Sequence, residues 1–180
     1  MVVSDNGADY EPIPTGMHRA ILVNYFDVGL QPGFQGDMPR KKVVLLWELE
    51  ARNDKTGKRF TITKTYTQSI GDKSNLGNDL SSWRGRPFTP EERKAFEMDN
   101  IKAKPCQINI MPKEPGSEKV KVAAVLPADR SRPYWTVETV PGYVPKFVEK
   151  MLETRITEQA KPAQTKSVLA SDGFEEDIPF

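Results

Sequence analysis

Residues 41–67 contain two segments of alternating apolar and polar residues joined by a short turn, a pattern that few folds accommodate. In residues 41–52, every second residue from Val43 to Ala51 is apolar, and the charged side chains of the second half lie on the opposite parity. In residues 58–67, a row that begins with Phe60 and Ile62 alternates with four threonines. A period of two is typical of a strand with one buried face. With the Asn-Asp-Lys-Thr-Gly turn between them, the two segments predict a β-hairpin.

Three further strands are predicted on either side of this hairpin. Residues 16–29 are apolar and aromatic in their centre and end with glycine, as a strand does. Residues 105–111 and 118–126 predict a second hairpin, joined by a turn that contains Pro115 and Gly116. Residues 30–40 are rich in proline and glycine and predict a long loop between the first two strands.

Two short helical segments are predicted between the third and fourth strands. Leu76, Leu80 and Trp83 are spaced four and three apart behind capping residues, and Gly85 ends this helix. The run Thr-Pro-Glu-Glu at 89–92 is a capping box, which predicts a second helical turn.

The order of these elements predicts a mainly β protein. Strand, loop, hairpin, helical insert and hairpin is the order of an OB-fold, a five-stranded and partly open Greek-key barrel. A five-stranded meander with a helical excursion would give the same order. Of the two, we expect the OB-fold.

The chain divides into five predicted parts. An N-terminal extension (1–15) precedes the OB-fold domain (16–126), an aromatic extension and C-terminal helix (127–157), a flexible linker (158–171) and a disordered acidic tip (172–180). The helix is predicted over residues 144–156, with Phe147, Met151 and Leu152 as its apolar stripe. Packing on the outside of the barrel is favoured over dimerisation.

Charge is distributed unevenly along the chain, although its net value is only +1. The first eleven residues carry three acids and the last nine carry four, with no base in either segment. Between them lie 26 basic and 18 acidic residues. A basic body with an acidic tail is typical of a binding domain with an interaction tail. Charged ends that only aid solubility would give the same distribution.

The cysteine content and the hydropathy predict a soluble protein of the cytoplasm. Cys106 is the only cysteine, so no intrachain disulfide can form, which fits a reducing compartment. No apolar run approaches the ~20 residues of a membrane span. The first residues lack the basic start and apolar stretch of a signal peptide.

The residue types argue against an enzyme. His18 and Cys106 are the only histidine and the only thiol, which excludes metal sites built from several such ligands. Phosphate-binding and dinucleotide-binding motifs are also missing from the sequence. A carboxylate-only Mg²⁺ nuclease stays open by residue type, but the acids lie mainly in the ends and on strand surfaces. We expect no catalytic residue, no metal and no cofactor.

The last six residues join three acids to an apolar end: Glu175, Glu176, Asp177, Ile178, Pro179 and Phe180. A solvated tail does not need apolar terminal residues, which suit a partner with an apolar pocket beside a basic rim. This ending resembles the C-terminal tip of bacterial single-stranded DNA-binding proteins, with Glu where Asp is usual. The resemblance implies that the tip docks replication, recombination and repair proteins and competes weakly with DNA.

Parts of residues 16–126 resemble phage-encoded single-strand binding proteins with an OB-fold. The segments that carry this resemblance are Tyr66-Thr-Gln-Ser69, Lys73-Ser74-Asn75-Leu76, Leu80-Ser-Ser-Trp83 and Arg84-Gly85-Arg86-Pro87-Phe88. The resemblance implies a bacteriophage protein that coats single-stranded DNA in the host cytoplasm, with little base preference. Two other non-enzymatic functions stay open: a strand-annealing partner protein, and an adaptor that acts through its tail without binding DNA.

Binding to single strands requires cations near the phosphates and aromatic rings on which bases stack. In OB-folds the ligand crosses the second and third strands and the loops that flank them. Basic and aromatic residues are interleaved in this part of the chain. The candidate DNA-binding residues are Phe34, Arg40, Lys41, Lys42, Trp47, Arg52, Arg59, Lys64, Tyr66, Arg84 and Arg86.

Several of these candidates have a structural alternative. Trp47 shares its parity with apolar residues, which favours the core. Lys64 and Tyr66 also have core parity but are too polar for a barrel interior. The strand is therefore expected to turn towards solvent there, with Tyr66 as a stacking residue. Phe34 lies in a loop with no core to join, and it fits a functional role as well as a structural one.

Overall fold

Five strands form one antiparallel sheet within residues 10–157, the part of the chain that the computed structural model describes. The strands are β1 (Gly16–Gln31), β2 (Arg40–Arg52), β3 (Arg59–Thr67), β4 (Pro105–Pro112) and β5 (Val120–Leu126). Their order across the sheet is β3-β2-β1-β4-β5. The predicted mainly β class, the five strands and the β2–β3 hairpin are confirmed. The linker and the acidic tip, like residues 1–9, lie outside the described residues.

The sheet is open, with β3 and β5 as its edge strands. These edges approach each other, and the helix α1 (Asn75–Arg84) lies against both of them. The side chain of Ser74 accepts a hydrogen bond from the Gly77 N–H at the start of α1. Gly85 ends the helix with a positive φ of 76°, a conformation that glycine adopts without strain. A short helix, α2 (Pro90–Lys94), follows with the predicted capping box.

The inner face of the sheet carries the main core. Val43, Leu45 and Trp47 of β2 lie on this face and pack with Leu76 and Leu80 of α1. Register pairs Trp47 with Ile62 of β3, as the alternation predicted. The phase of the hairpin is therefore set by burial of one face, since a slip of one residue would turn every apolar side chain outwards.

The outer face of the sheet is also partly covered. The helix α3 (Lys146–Glu153) places Val148 against Val28 of β1 and Val44 of β2. This contact agrees with the expectation that the C-terminal helix packs on the outside of the sheet. The predicted stripe is wrong in one position, because Phe147 is exposed and its neighbour Val148 is buried.

Candidate nucleic-acid interface

Residues 132–139, called here the strap, run across the outer face of β1 and β2 and are held by Glu48. Glu48 lies on β2 and is only 1% exposed. Its carboxylate accepts hydrogen bonds from Trp135 Nε1 at 2.8 Å, from the Glu138 N–H at 3.0 Å and from the Thr139 N–H at 2.7 Å. Burial raises the pKa of Glu48, but the bonds from Thr139, Glu138 and Trp135 outweigh it and hold that pKa below its ordinary value.

One acid of the strap also pairs with two arginines that were predicted to bind DNA. The Glu138 carboxylate accepts hydrogen bonds from Arg52 at 2.5 and 2.9 Å and from Arg59 Nε at 3.1 Å. The guanidinium of Arg59 lies 4.5 Å from the ring centre of Trp135. Both cations therefore already have an anionic partner, which makes them less available to a phosphate than an unpaired cation is.

A third arginine ties the strap to β1. Arg19 is buried and donates to Glu50 of β2 at 2.5 Å and to the Arg132 carbonyl at 2.6 Å. Its guanidinium lies 4.0 Å from the ring centre of Tyr134. Sequence patterns missed this network, because Glu48 and Glu50 have the parity of a solvent face. The only signal was the cluster of aromatic residues after the last strand.

Tyr66 is a core residue, and its prediction as a base-stacking residue is wrong. Its side chain is 2% exposed, and its hydroxyl donates to Asp79 of α1 at 2.6 Å. Lys64 reaches the same carboxylate oxygen at 2.7 Å. Burial, together with the charge of Asp79, raises the pKa of Tyr66 far above its ordinary value. The strand does not turn to solvent, because Asp79 satisfies both polar groups.

Trp47 is fully buried, which corrects its place among the DNA-binding candidates and confirms the core alternative. Arg84 is also engaged within the protein. Its guanidinium donates to Glu92 at 2.8 Å and lies over the ring of Phe88. Arg86 is exposed, with its guanidinium 3.5 Å from the same carboxylate. Arg84 and Arg86 therefore share one acid just after α1.

The remaining candidates are close in sequence, in the loop before β2 and at the start of that strand. Phe34 is 77% exposed, Met38 is 80% exposed, and Arg40 and Lys41 are exposed beside them in sequence. Within residues 10–157, neither Arg40 nor Lys41 has an acid within salt-bridge distance. Lys42 donates to the Thr67 hydroxyl of β3 at 2.9 Å. Phe34, Met38, Arg40 and Lys41 are called the loop cluster below.

The loop that carries Phe34 has a defined shape. The Asp37 N–H donates to the Phe34 carbonyl at 3.0 Å and closes a 3₁₀ turn over Phe34–Gly36. Only glycine fits at position 33, since a Cβ there would lie 2.0 Å from the Asp37 carbonyl oxygen. The turn therefore presents an aromatic ring to solvent from a fixed backbone.

The structure thus separates the predicted site into distinct places. Arg40 and Arg52 are twelve residues apart along β2, about 40 Å of extended strand. Residues 10–157 carry 24 basic and 18 acidic side chains, an excess of six positive charges. Nine of these bases have an acid within salt-bridge distance, and the loop cluster is one of the places where the other bases lie.

Three further findings concern metal binding, membrane spans and similarity to known proteins. Among the described residues, no three His, Cys, Asp or Glu side chains lie close enough to hold a metal ion. None of the helices in residues 10–157 is long and apolar enough to cross a membrane. Comparisons with protein families, with curated proteins and with solved structures find no match to this chain.

Proposed function

We propose that this chain binds single-stranded DNA with little base preference, through a surface that begins at the loop cluster. The observation that carries the proposal is the exposed ring of Phe34 in the loop that leads to Arg40 and Lys41, two exposed cations with no acid partner among residues 10–157. Stacking on an aromatic ring contributes about 1–3 kcal/mol per base and is tolerant of sequence, because every base has a π-face. The free cations supply contacts to phosphates, which make binding dependent on salt.

The strand order supports an OB-fold as the scaffold for this function. A sheet of order β3-β2-β1-β4-β5, whose edge strands approach each other, has the connectivity of a five-stranded barrel opened between its third and fifth strands. In that fold the loop between the first two strands flanks the ligand. The loop cluster occupies this loop and the start of β2.

The proposal includes a second binding element, the acidic tip. Residues 175–180 combine three acids with a terminal Ile-Pro-Phe, which suits a partner with an apolar pocket and a basic rim. We propose that the tip recruits replication and recombination proteins to the strand that the domain coats. This part of the proposal depends on the sequence and its resemblance alone.

The test is a titration of the full chain with a labelled thymine oligonucleotide at several salt concentrations. Arg40→Gln should weaken binding and reduce the slope of log affinity against log salt by about 0.7, the value for one phosphate contact on a single strand. Arg52→Gln is the matched control, because it changes the formal charge equally but removes a cation already neutralised by Glu138. Its slope should equal that of the wild-type chain.

Two results would contradict the proposal. Equal effects of Arg40→Gln and Arg52→Gln would indicate a response to net charge and not a site at the loop cluster. No saturable binding at low salt would reject DNA binding and leave the tip-mediated adaptor. A chain that binds single strands and also joins complementary ones would be a strand-annealing protein.

A further inference from the structure

A groove of about 620 Å³ lies on the outer face of the sheet beside the edge strand β3. Leu46 of β2 and Thr61 and Thr63 of β3 line one side. Residues 143–147, which lead into α3, line the other side together with Glu149. Tyr143 is 46% exposed and Phe147 is 42% exposed, so two aromatic rings four residues apart border a wall of hydroxyl groups.

Neither ring belongs to the apolar cluster that holds α3 on the sheet. That cluster consists of Val28, Val44 and Val148, with Phe26, Val144, Met151 and Leu152 packed around it. The helix is therefore anchored without Tyr143 and Phe147. Large aromatic side chains left exposed beside a groove are typical of a binding site.

The groove is an open part of the outer face of β2 and β3, which the strap and α3 cover elsewhere. The strap lies over the region of Arg19, Glu48 and Glu50, and α3 covers Val44. The threonine row of β3 is only partly covered, and Thr65 is exposed. A single strand that crosses the outer face of β2 and β3 can therefore follow the edge along β3.

This path is continuous with the loop cluster. Register pairs Leu46 with Thr63, Val44 with Thr65 and Lys42 with Thr67. The threonine row thus runs from the groove to the start of β2, where Arg40 and Lys41 lie. The seven residues of extended strand from Thr61 to Thr67 span about 20 Å.

We propose that the groove holds bases of the bound single strand, with Tyr143 and Phe147 as stacking residues. This inference extends the proposed function and depends on it. Lys146, which lines the groove, and Lys150 one turn later supply positive charge, while Glu149 is the one acid among the lining residues. Nucleotides fit this lining better than an apolar peptide does, because threonines form the wall opposite the rings and Leu46 is almost fully buried.

The test compares the full-length variants Tyr143→Ala and Phe147→Ala with the wild-type chain on two oligonucleotides of equal length. One is oligothymidine and the other has the same backbone without bases. Each variant should bind oligothymidine at least about five-fold more weakly, since a stacked base contributes about 1–3 kcal/mol. The affinity of each variant for the abasic strand should stay within about two-fold of the wild-type value, because the phosphate contacts remain.

Two companion variants separate the possible failures. Tyr10→Ala removes an exposed ring from outside the groove and should bind both strands as the wild type does. Phe34→Ala tests the loop cluster alone. If Phe34→Ala weakens binding while Tyr143→Ala and Phe147→Ala do not, the groove is rejected and the proposed function stands. If the wild-type chain does not bind oligothymidine, both proposals are rejected.

A photo-crosslinking measurement on the wild-type chain does not depend on the stability of any variant. An oligonucleotide that carries 5-iodouracil should crosslink to the peptide containing residues 143–147. Crosslinks confined to the strap or to the β4–β5 turn would overturn the groove assignment. Equal losses of affinity on thymine and abasic strands would exclude stacking.

Discussion

Glu48 of β2 and Thr139 of the strap are joined by two hydrogen bonds that end on one carboxylate oxygen. The Thr139 N–H donates at 2.7 Å and its hydroxyl donates at 2.5 Å. Glu48 lies at a position where the alternation of β2 predicts solvent. The strap converts this position to interior, so the C-terminal extension forms a second layer of the fold on the outer face of the sheet.

Replacing this buried carboxylate should destabilise the protein. In Glu48→Gln the amide group has the same shape, but its NH₂ replaces one carboxylate oxygen and faces donors either from Trp135 and Glu138 or from Glu138 and Thr139. We expect the free energy of unfolding to fall by about 1–3 kcal/mol, the cost of leaving buried donors without an acceptor. Chemical denaturation followed by tryptophan fluorescence measures this change.

The exposed acid Glu149 provides the control, because Glu149→Gln removes the same charge from a solvated helix position. Its free energy of unfolding should stay within about 0.5 kcal/mol of the wild-type value. Equal stabilities of the Glu48→Gln and wild-type chains would show that the strap does not depend on the Glu48 carboxylate.

Tyr66→Phe distinguishes a core residue from a base-stacking residue. The change removes the hydroxyl that donates to Asp79 and keeps the ring. Hydrogen bonds to charged groups contribute about 1.5–3 kcal/mol, so we expect a loss of stability of this order. Affinity for single-stranded DNA should not change.

Tyr25→Phe is the matched control for Tyr66→Phe, because Tyr25 also donates to a carboxylate, that of Asp99, but at an exposed site. In Tyr25→Phe the free energy of unfolding should fall by less than about 1 kcal/mol, since exposed contacts to charged groups contribute little. A loss of DNA affinity in Tyr66→Phe at unchanged stability would restore Tyr66 to the binding site.

Local patterns in the sequence predicted the elements whose cause is local. The β2–β3 hairpin follows from period-two alternation and a turn between its strands. The capping box of α2 is contained in four consecutive residues, where Thr89 and Glu92 satisfy each other's backbone N–H groups. Each of these features is decided by neighbours in the chain, so the sequence alone specifies it.

Features decided by distant residues were not predictable in this way. Tyr66 is buried and Lys64 is half-buried because both contact Asp79, thirteen and fifteen residues away. Arg52 and Arg59 lose their free charge to Glu138, which follows them by about eighty residues. A pattern of residue types shows which side chains carry charge, but only the fold shows which charges are already paired.

Deletion of Glu175–Phe180 tests the acidic tip. DNA affinity should stay the same or increase slightly, because the deletion removes three negative charges that compete with phosphates. Binding to proteins that recognise the acidic tip of bacterial single-stranded DNA-binding proteins should be lost, as measured by surface plasmon resonance. Alanine at residues 178–180 keeps the charges, so it should abolish partner binding and leave DNA affinity unchanged. A truncated chain without DNA affinity would reject the tip assignment.

The stability of the protein should fall in acid partly through Glu92. Hydrogen bonds from Arg84 and from the Thr89 N–H lower the pKa of Glu92 from its ordinary 4.5 to about 2. As the pH decreases, the unfolded chain therefore binds a proton at this residue before the folded chain does. The stabilisation is complete above about pH 4.5 and is lost progressively between pH 4.5 and pH 2.

Glu92→Gln removes this contribution at every pH. The thermal midpoint of the variant should lie below that of the wild-type chain at pH 7, and the gap should narrow as the pH falls below 4.5. Glu91→Gln is the control, because Glu91 is an exposed neighbour in the same first turn of α2. Its midpoints should follow those of the wild type through the whole acid range. A gap between Glu92→Gln and wild type that is as wide at pH 2.5 as at pH 7 would mean that Arg84 and the Thr89 cap do not depend on the charge of Glu92.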